Sequence, residues 1–158
     1  MRMQQGKVPR LFLDMDGVLV DFDGHMRELK LPGDVVKKMA GAYLAMKPIA
    51  GALGYVRELI ELGYEVWIAT KPPTGISHAY AEKAQWVLDH LPELATRIII
   101  THDKGLLGDA DDFLVDDRPH KANCCNFLGE FLHFRPDFSW PEVMQRLRQA
   151  SIERGLTA

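Results

Sequence analysis

The sequence predicts an α/β protein, a parallel β-sheet with helices on both faces, which makes three layers. Three observations carry this. Short apolar runs alternate along the chain with longer stretches of helical period. The first runs stop abruptly at aspartate, threonine or glycine. The 158 residues, 47% apolar and 26% charged, match one ordinary globular domain with one sizeable core.

Each element follows in order. Residues 1–9 are polar and expected to be loose. The first strand is Arg10-Leu11-Phe12-Leu13, which ends at Asp14-Met15-Asp16-Gly17; a short apolar run bounded by a glycine reads as a buried strand. Leu53, Val56, Leu59 and Ile60 recur at helical spacing within residues 51–62, and Gly63 stands where a helix C-terminal glycine belongs. Glu65 to Ala69 is the second strand, closed by Thr70-Lys71-Pro72-Pro73. Ser77 to His90 reads as a helix with Tyr80, Ala84, Val87 and Leu88 on one face. Arg97 to Ile100 is the third strand, and Phe113-Leu114-Val115 the fourth, ending at Asp116-Asp117. Phe131 to Phe134 is the fifth strand, and Trp140 to Ile152 closes the chain as a helix.

In parallel sheets ligands gather at the carboxyl ends of the strands. Asp14 and Asp16, Thr70, and Asp116 and Asp117 all stand at such ends, so three strands deliver polar groups to one rim. Four carboxylates sharing a site repel one another, and a hard divalent cation is the natural compensation. Mg²⁺ suits the set, because it favours a few carboxylates plus waters and substrate phosphate. Asp109, Asp111 and Asp112 lack the spacing of a calcium loop and read as solvated surface.

Hydrolysis of a phosphate monoester needs a nucleophile, an acid for the leaving oxygen and cations for the growing charge. Asp14 suits the first role. Asp16, two residues on and on the same side of a continuing strand, suits general acid and then base. Gly17 lets the backbone turn sharply and bring N–H groups to a phosphate. Thr70 offers a hydroxyl, and Lys104 a positive charge. Plainer readings exist for each type. Strand-end aspartates also cap turns and helices, the reading preferred for Asp21. A lysine on a helix, such as Lys83, is usually solvated. Phe22 serves equally as core or base contact, and Trp67 and Trp86 read as core. The histidines show no ligand spacing.

A net charge of −3 gives no footprint for a long nucleic acid, though a short phosphorylated substrate fits. No apolar run reaches membrane-spanning length and the N-terminus lacks a secretory stretch, so a cytosolic protein without membrane contacts is expected. The adjacent Cys124 and Cys125 read as reduced core thiols, since neighbours rarely bridge with relaxed geometry.

Four ordered motifs resemble the haloacid dehalogenase (HAD) superfamily: Asp14-Met15-Asp16-Gly17-Val18, Thr70 after its strand, Lys104, and Asp116-Asp117 after Phe113-Leu114-Val115. Asp14 to Phe22, Tyr80 to Trp86, Thr101 to Lys104 and Leu114 to Pro119 are similar to the 5′(3′)-deoxyribonucleotidases. The resemblance covers residues 10 to about 135. It implies a single Rossmann-like, HAD-like domain over residues 1–158 with a short helical cap insertion at about 22–47. It implies Asp14 as nucleophile and Asp16 as acid/base. Mg²⁺ would be held by the Asp14 carboxylate, the Asp16 main-chain carbonyl and Asp117, while Asp116 binds through water or orients Lys104. Thr70 and Lys104 hold the phosphate and Phe22 lies against the nucleotide. Gly17 and Lys71 complete the expected phosphate-binding set, although the nucleotidases more usually have a small hydroxyl residue where Lys71 stands. Lys83 matches a family lysine near the phosphate. Tyr43 and Met46 are the candidates for cap contacts to a base.

The expectation is a Mg²⁺-dependent phosphomonoesterase working through an aspartyl-phosphate, with deoxyribonucleoside monophosphates as substrates. The alternatives are a phosphatase for another small metabolite or a larger phosphoester, which a short cap would admit, and a non-enzymatic binding protein of the same fold. Retention of every member of the catalytic set speaks against the last. Dehalogenation needs no magnesium, so the Asp116-Asp117 pair speaks against it.

Overall fold

The computed structural model describes residues 7–156. The elements run β1 (Arg10–Leu13), α1 (Phe22–Leu29), α2 (Gly33–Val36), α3 (Ala42–Ala45), α4 (Ala52–Glu61), β2 (Glu65–Thr70), α5 (Ser77–His90), β3 (Ile98–Ile100), β4 (Phe113–Asp116), β5 (Glu130–His133) and α6 (Trp140–Glu153). The five strands form one sheet in the order β3-β2-β1-β4-β5, every pair parallel. Leu13 at the end of β1 stands opposite Ile68 of β2 and Val115 of β4. The order reverses at β1, so the carboxyl ends of β1 and β4 flank a topological switch point, the place where open α/β sheets bind ligands.

Alternation along the strands sorts the two faces. Leu11, Leu13, Val66, Ile68, Phe113 and Val115 pack with Val56 and Leu59 of α4, Trp86 and Val87 of α5, and Val143, Met144 and Leu147 of α6. Phe12, Ala69 and Leu114 point the other way, against Cys124 and Phe127. That second layer is thin. The connections at 101–112 and 117–129 carry only the 3-10 turns Lys104–Leu106 and Cys124–Asn126. Their brevity keeps Lys104 close to the ends of β1 and β4.

Several details depart from expectation. Pro9 is buried and its carbonyl accepts the Glu65 N–H at 3.1 Å, while Lys7 pairs with Asp109, so residues 7–9 are tied down. The rest of the stretch expected to be loose, 1–6, lies outside the described residues. The buried face of α5 is Ala79, Glu82, Lys83, Trp86 and Val87, and Leu88 is 41% exposed. Two charged side chains thus occupy positions that hydrophobicity alone assigns to the outside. Asp112 is fully buried, not solvated, because its carboxylate accepts the backbone N–H groups of Arg10 (2.7 Å) and Asp109 (2.8 Å). Trp67 is only half-buried, whereas Trp86 is core and donates Nε1–H to the Met46 carbonyl at 2.9 Å. Both cysteines are free, with Cys124 buried and Cys125 exposed.

The segment between β1 and β2 begins at Asp21, which caps α1 by accepting the Gly24 N–H at 2.9 Å. A Cβ on Gly24 would run into that carboxylate. The three short helices α1, α2 and α3 follow and lie beside the carboxyl end of the sheet, since Phe22, Gly33 and Tyr43 border the same cleft as Asp14. Among the described residues no helix is long and apolar enough to cross a membrane.

Candidate active site

β1 delivers Asp14 to the rim, where its N–H donates to the Val115 carbonyl at 3.0 Å and continues the ladder to β4. The chain then turns tightly, with the N–H groups of Val18, Leu19 and Val20 all donating to the Met15 carbonyl. Gly17 makes the turn possible. Its φ is +81°, and a Cβ there would collide with the Asp117 carboxylate, whose Cγ would lie 3.0 Å away. Any larger residue would displace either the turn or Asp117.

Two buried lysines organise the floor. Lys104, 2% exposed, donates to Asp14 Oδ1 at 2.9 Å and to Asp116 Oδ2 at 2.5 Å. The other Asp116 oxygen accepts the Arg118 N–H at 2.9 Å. Lys83, fully buried, donates to Thr70 Oγ1 at 2.8 Å and to Asp16 Oδ2 at 3.1 Å, and its Nζ sits 4.4 Å from the centre of the Tyr43 ring. Asp16 Oδ1 is buried without a hydrogen-bond partner among the described residues. Asp14, Asp116 and Asp117 each place a carboxylate oxygen within 4.8 Å of the others.

The electrostatics follow from this crowding. Burial opposes the charged form of Lys104, but Asp14 and Asp116 outweigh it and hold its pKa above the ordinary lysine value. Burial raises Asp14, Lys104 partly offsets that, and Asp116 adds to the rise. Asp117 is pushed up to about 8 by burial, by Asp14 and by Asp116. Four carboxylates face two ammonium groups, which leaves two formal negative charges, and carboxylate oxygens converge at the carboxyl ends of β1 and β4. That donor set fits a hard divalent cation.

A measurable consequence concerns stability without metal. The folded-state pKa of Asp117 is raised from 3.8 to about 8, so the native state binds a proton the unfolded chain has released. Its stabilising contribution is fully present below about pH 4 and is lost as pH rises through about 8. In EDTA, the melting temperature should fall across that window in the wild type and fall less in Asp117→Asn. Parallel pH profiles for the two proteins would show that the cluster is not strained by uncompensated charge.

These groups open into a cleft of about 450 Å³ bordered by Phe22, Tyr43, Lys71 and Pro72, with Lys37, Arg118 and Lys121 also on its wall. Asp14, Asp16, Gly17, Asp116, Asp117 and Lys104 line this one cleft together. Thr70 reaches the group through Lys83. Phe22 lies on the wall with its ring 6.3 Å from that of Tyr43. Lys71 borders the cleft but is exposed, and among the described residues no carboxylate pairs with it. Met46, 1% exposed, and Tyr43, 2% exposed, both pack in the core, and of the two only Tyr43 borders the cleft. Lys83, for which a solvated position was the plain reading, is a central member. Its signal was position: Ala79, Lys83, Trp86 and Val87 form one helical stripe, so a lysine there is buried with the core.

Residues 36–146 match the family described as 5′ nucleotidase, deoxy (Pyrimidine), cytosolic type C protein. The matched stretch takes in Thr70, Lys83, Lys104, Asp116 and Asp117. The human cytosolic-type 5′(3′)-deoxyribonucleotidase is 34% identical over 143 residues, covering 69% of this chain and 70% of that protein. The human mitochondrial 5′(3′)-deoxyribonucleotidase is 27% identical over 148 residues, covering 72% of this chain and 64% of that one. Among solved structures, the HAD domain of the effector protein Lem4 from Legionella pneumophila (inactive mutant) superposes with a TM-score of 0.51 at 14% identity. It covers 96% of this chain and 100% of that one, a likeness of fold. With a family match over residues 36–146, a relative 34% identical over most of both chains and the fold of a HAD domain, the chain belongs to the 5′(3′)-deoxyribonucleotidase family, hydrolases of phosphate monoesters.

Proposed function

We propose that this protein hydrolyses deoxyribonucleoside monophosphates in two steps through an aspartyl-phosphate on Asp14. The observation that carries the reading is the joint placement of Asp14, Lys104, Asp116 and Asp117 at the ends of β1 and β4, facing the cleft. In the first step an Asp14 carboxylate oxygen attacks phosphorus, and the bond to the leaving oxygen breaks. Asp16 gives its proton to the departing alkoxide. In the second step Asp16 takes a proton from water as that water attacks the aspartyl-phosphate, which releases inorganic phosphate and restores Asp14.

Lys83 holds Asp16 by Oδ2 and so fixes the orientation of the carboxylate that transfers the proton. Lys104 neutralises charge beside the attacking carboxylate, and Asp116, both of whose oxygens are engaged, keeps that lysine in place. The phosphate set is Gly17, Thr70 and Lys104, with Lys71 supplying charge from the rim. Mg²⁺ bound by Asp14, Asp117 and the Asp16 main-chain carbonyl, with Asp116 adjacent, would supply the remaining positive charge that phosphoryl transfer needs. Phe22, half-buried on the cleft wall, offers aromatic surface to a base, with buried Tyr43 packed beside it. The segment from α1 to α3 serves as a small cap within a single domain. A small phosphorylated nucleotide, not a long nucleic acid, is the partner. Similarity to the human cytosolic-type enzyme supports a cytosolic location.

The test is a panel of nucleoside monophosphates, sugar phosphates and an aryl phosphate, with Mg²⁺ and with EDTA. Deoxyribonucleotides should be preferred, and EDTA should abolish turnover of every ester. A preference for sugar phosphates would overturn the substrate class, and full activity in EDTA would overturn the metal requirement. Phe22→Ala should weaken nucleotide turnover far more than sugar-phosphate turnover, since only the nucleotide carries a base. Equal losses would assign Phe22 to packing alone.

A further inference from the structure

We propose that Glu82 is a positioning residue: it clamps the cap segment 38–46 onto α5 and so sets where the cap meets the nucleotide, an inference that rests on the nucleotidase reading. Three side chains of α5, spaced four residues apart and therefore on one stripe, each bond to the backbone of that segment. His78 Nε2 lies 2.9 Å from the Lys38 carbonyl. Glu82 Oε2 accepts the Gly41 N–H at 3.0 Å. Trp86 Nε1 donates to the Met46 carbonyl at 2.9 Å. The clamp reads the cap through its main chain, at the first residue before α3 and the first one after it.

Glu82 is the charged rung, and its burial needs a reason. It is 8% exposed, and its Oε1 has no partner among the described residues. A buried carboxylate with one oxygen unsatisfied is costly, and an apolar residue would serve packing better. What the carboxylate provides is an acceptor strong enough to hold Gly41, whose φ of +83° starts the turn into α3. The next residue on α5 is Lys83, which reaches Asp16 and Thr70 and lies over the Tyr43 ring. One helix therefore holds both the cap carrying Tyr43 and the lysine that grips Asp16. Shifting Gly41 moves Tyr43 relative to the cleft without touching Asp14 or Asp117.

The experiment compares Glu82→Ala with Glu82→Gln, which retains a carbonyl acceptor for Gly41. For a deoxyribonucleoside monophosphate, Glu82→Ala should raise KM about tenfold, the scale of one hydrogen bond to a charged group, with kcat changed less than about twofold. Turnover of an aryl phosphate, too small to need the cap, should stay within about twofold of wild type for both variants. Glu82→Gln should recover most of the nucleotide KM. Equal losses on both esters, or a glutamine variant as impaired as the alanine one, would overturn the proposal. A second readout needs no substrate. Amide hydrogen exchange over 38–46 should quicken in Glu82→Ala while β1 and β4 keep wild-type protection, and unchanged exchange there would also overturn it. If Glu82→Ala does not fold, Trp86→Phe removes only the indole N–H of the neighbouring rung and should quicken exchange over the same segment. If the wild type turns over no nucleotide, the proposed substrate class fails, and the exchange experiment still decides the clamp.

Discussion

Asp14→Asn should leave the protein folded and without measurable turnover of either a nucleotide or an aryl phosphate. The carboxylate is the group that attacks phosphorus in the proposed scheme, and an amide is a far weaker nucleophile. The loss expected on removing such a group is about 10⁴-fold or more. Stability should move little, because the two effects on the cluster oppose each other. The amide removes one of three carboxylates crowded within 4.8 Å, which relieves Asp117 of the charge that raises its pKa most. It also weakens one of the two bonds on buried Lys104, whose other partner, Asp116, remains at 2.5 Å. Steady-state assays with both esters, together with a melting curve, separate the outcomes. A folded but inactive variant supports the scheme, and a folded variant with substantial activity removes covalent catalysis by Asp14.

The parts of this site that were legible in the sequence are those fixed by strand ends. A buried parallel strand must be continuously apolar, so the residue that breaks the run marks the carboxyl edge of the sheet. That is why Asp14, Thr70 and Asp116-Asp117 could be placed on one rim from Leu13, Ala69 and Val115 alone. The positive φ of Gly17 and its close approach to Asp117 show why glycine follows Asp16. Helices were less transparent. Their faces were read from hydrophobicity, and in α5 this favoured Leu88 over Glu82 and Lys83, which are buried for polar reasons. Tertiary partners such as Thr70 and Gly41 decide those positions, and they are distant in sequence. Asp112 was misread for the same reason: its partners are backbone N–H groups, one of them a hundred residues away on β1. The segment from α1 to α3 was read as a cap only through the family resemblance, because three helices of four to eight residues leave little periodic signal.

Asp16→Asn should divide the substrates by their leaving groups. A nucleoside hydroxyl departs as a poor alkoxide and needs a proton as the bond to phosphorus breaks. A nitrophenolate departs largely unaided. General acid catalysis is worth about 10²–10⁴-fold, so the first step with the nucleotide should slow by that order while the first step with the aryl ester survives much better. The structure favours a clean comparison. Asparagine keeps the shape of Asp16, and its carbonyl oxygen can still accept from Lys83, which retains Thr70 as a second partner. Because Asp16 is also the base for hydrolysis of the aspartyl-phosphate in the proposed scheme, that species should accumulate on Asp14. Rapid-quench measurements should show a burst of nitrophenol equal to the enzyme concentration, and labelled phosphate on Asp14 that is sensitive to hydroxylamine. The pair of observations is specific to a group that serves as acid in one step and base in the next. A residue that merely positioned the phosphate would slow both esters alike and give no burst, and that result would transfer the acid–base role away from Asp16.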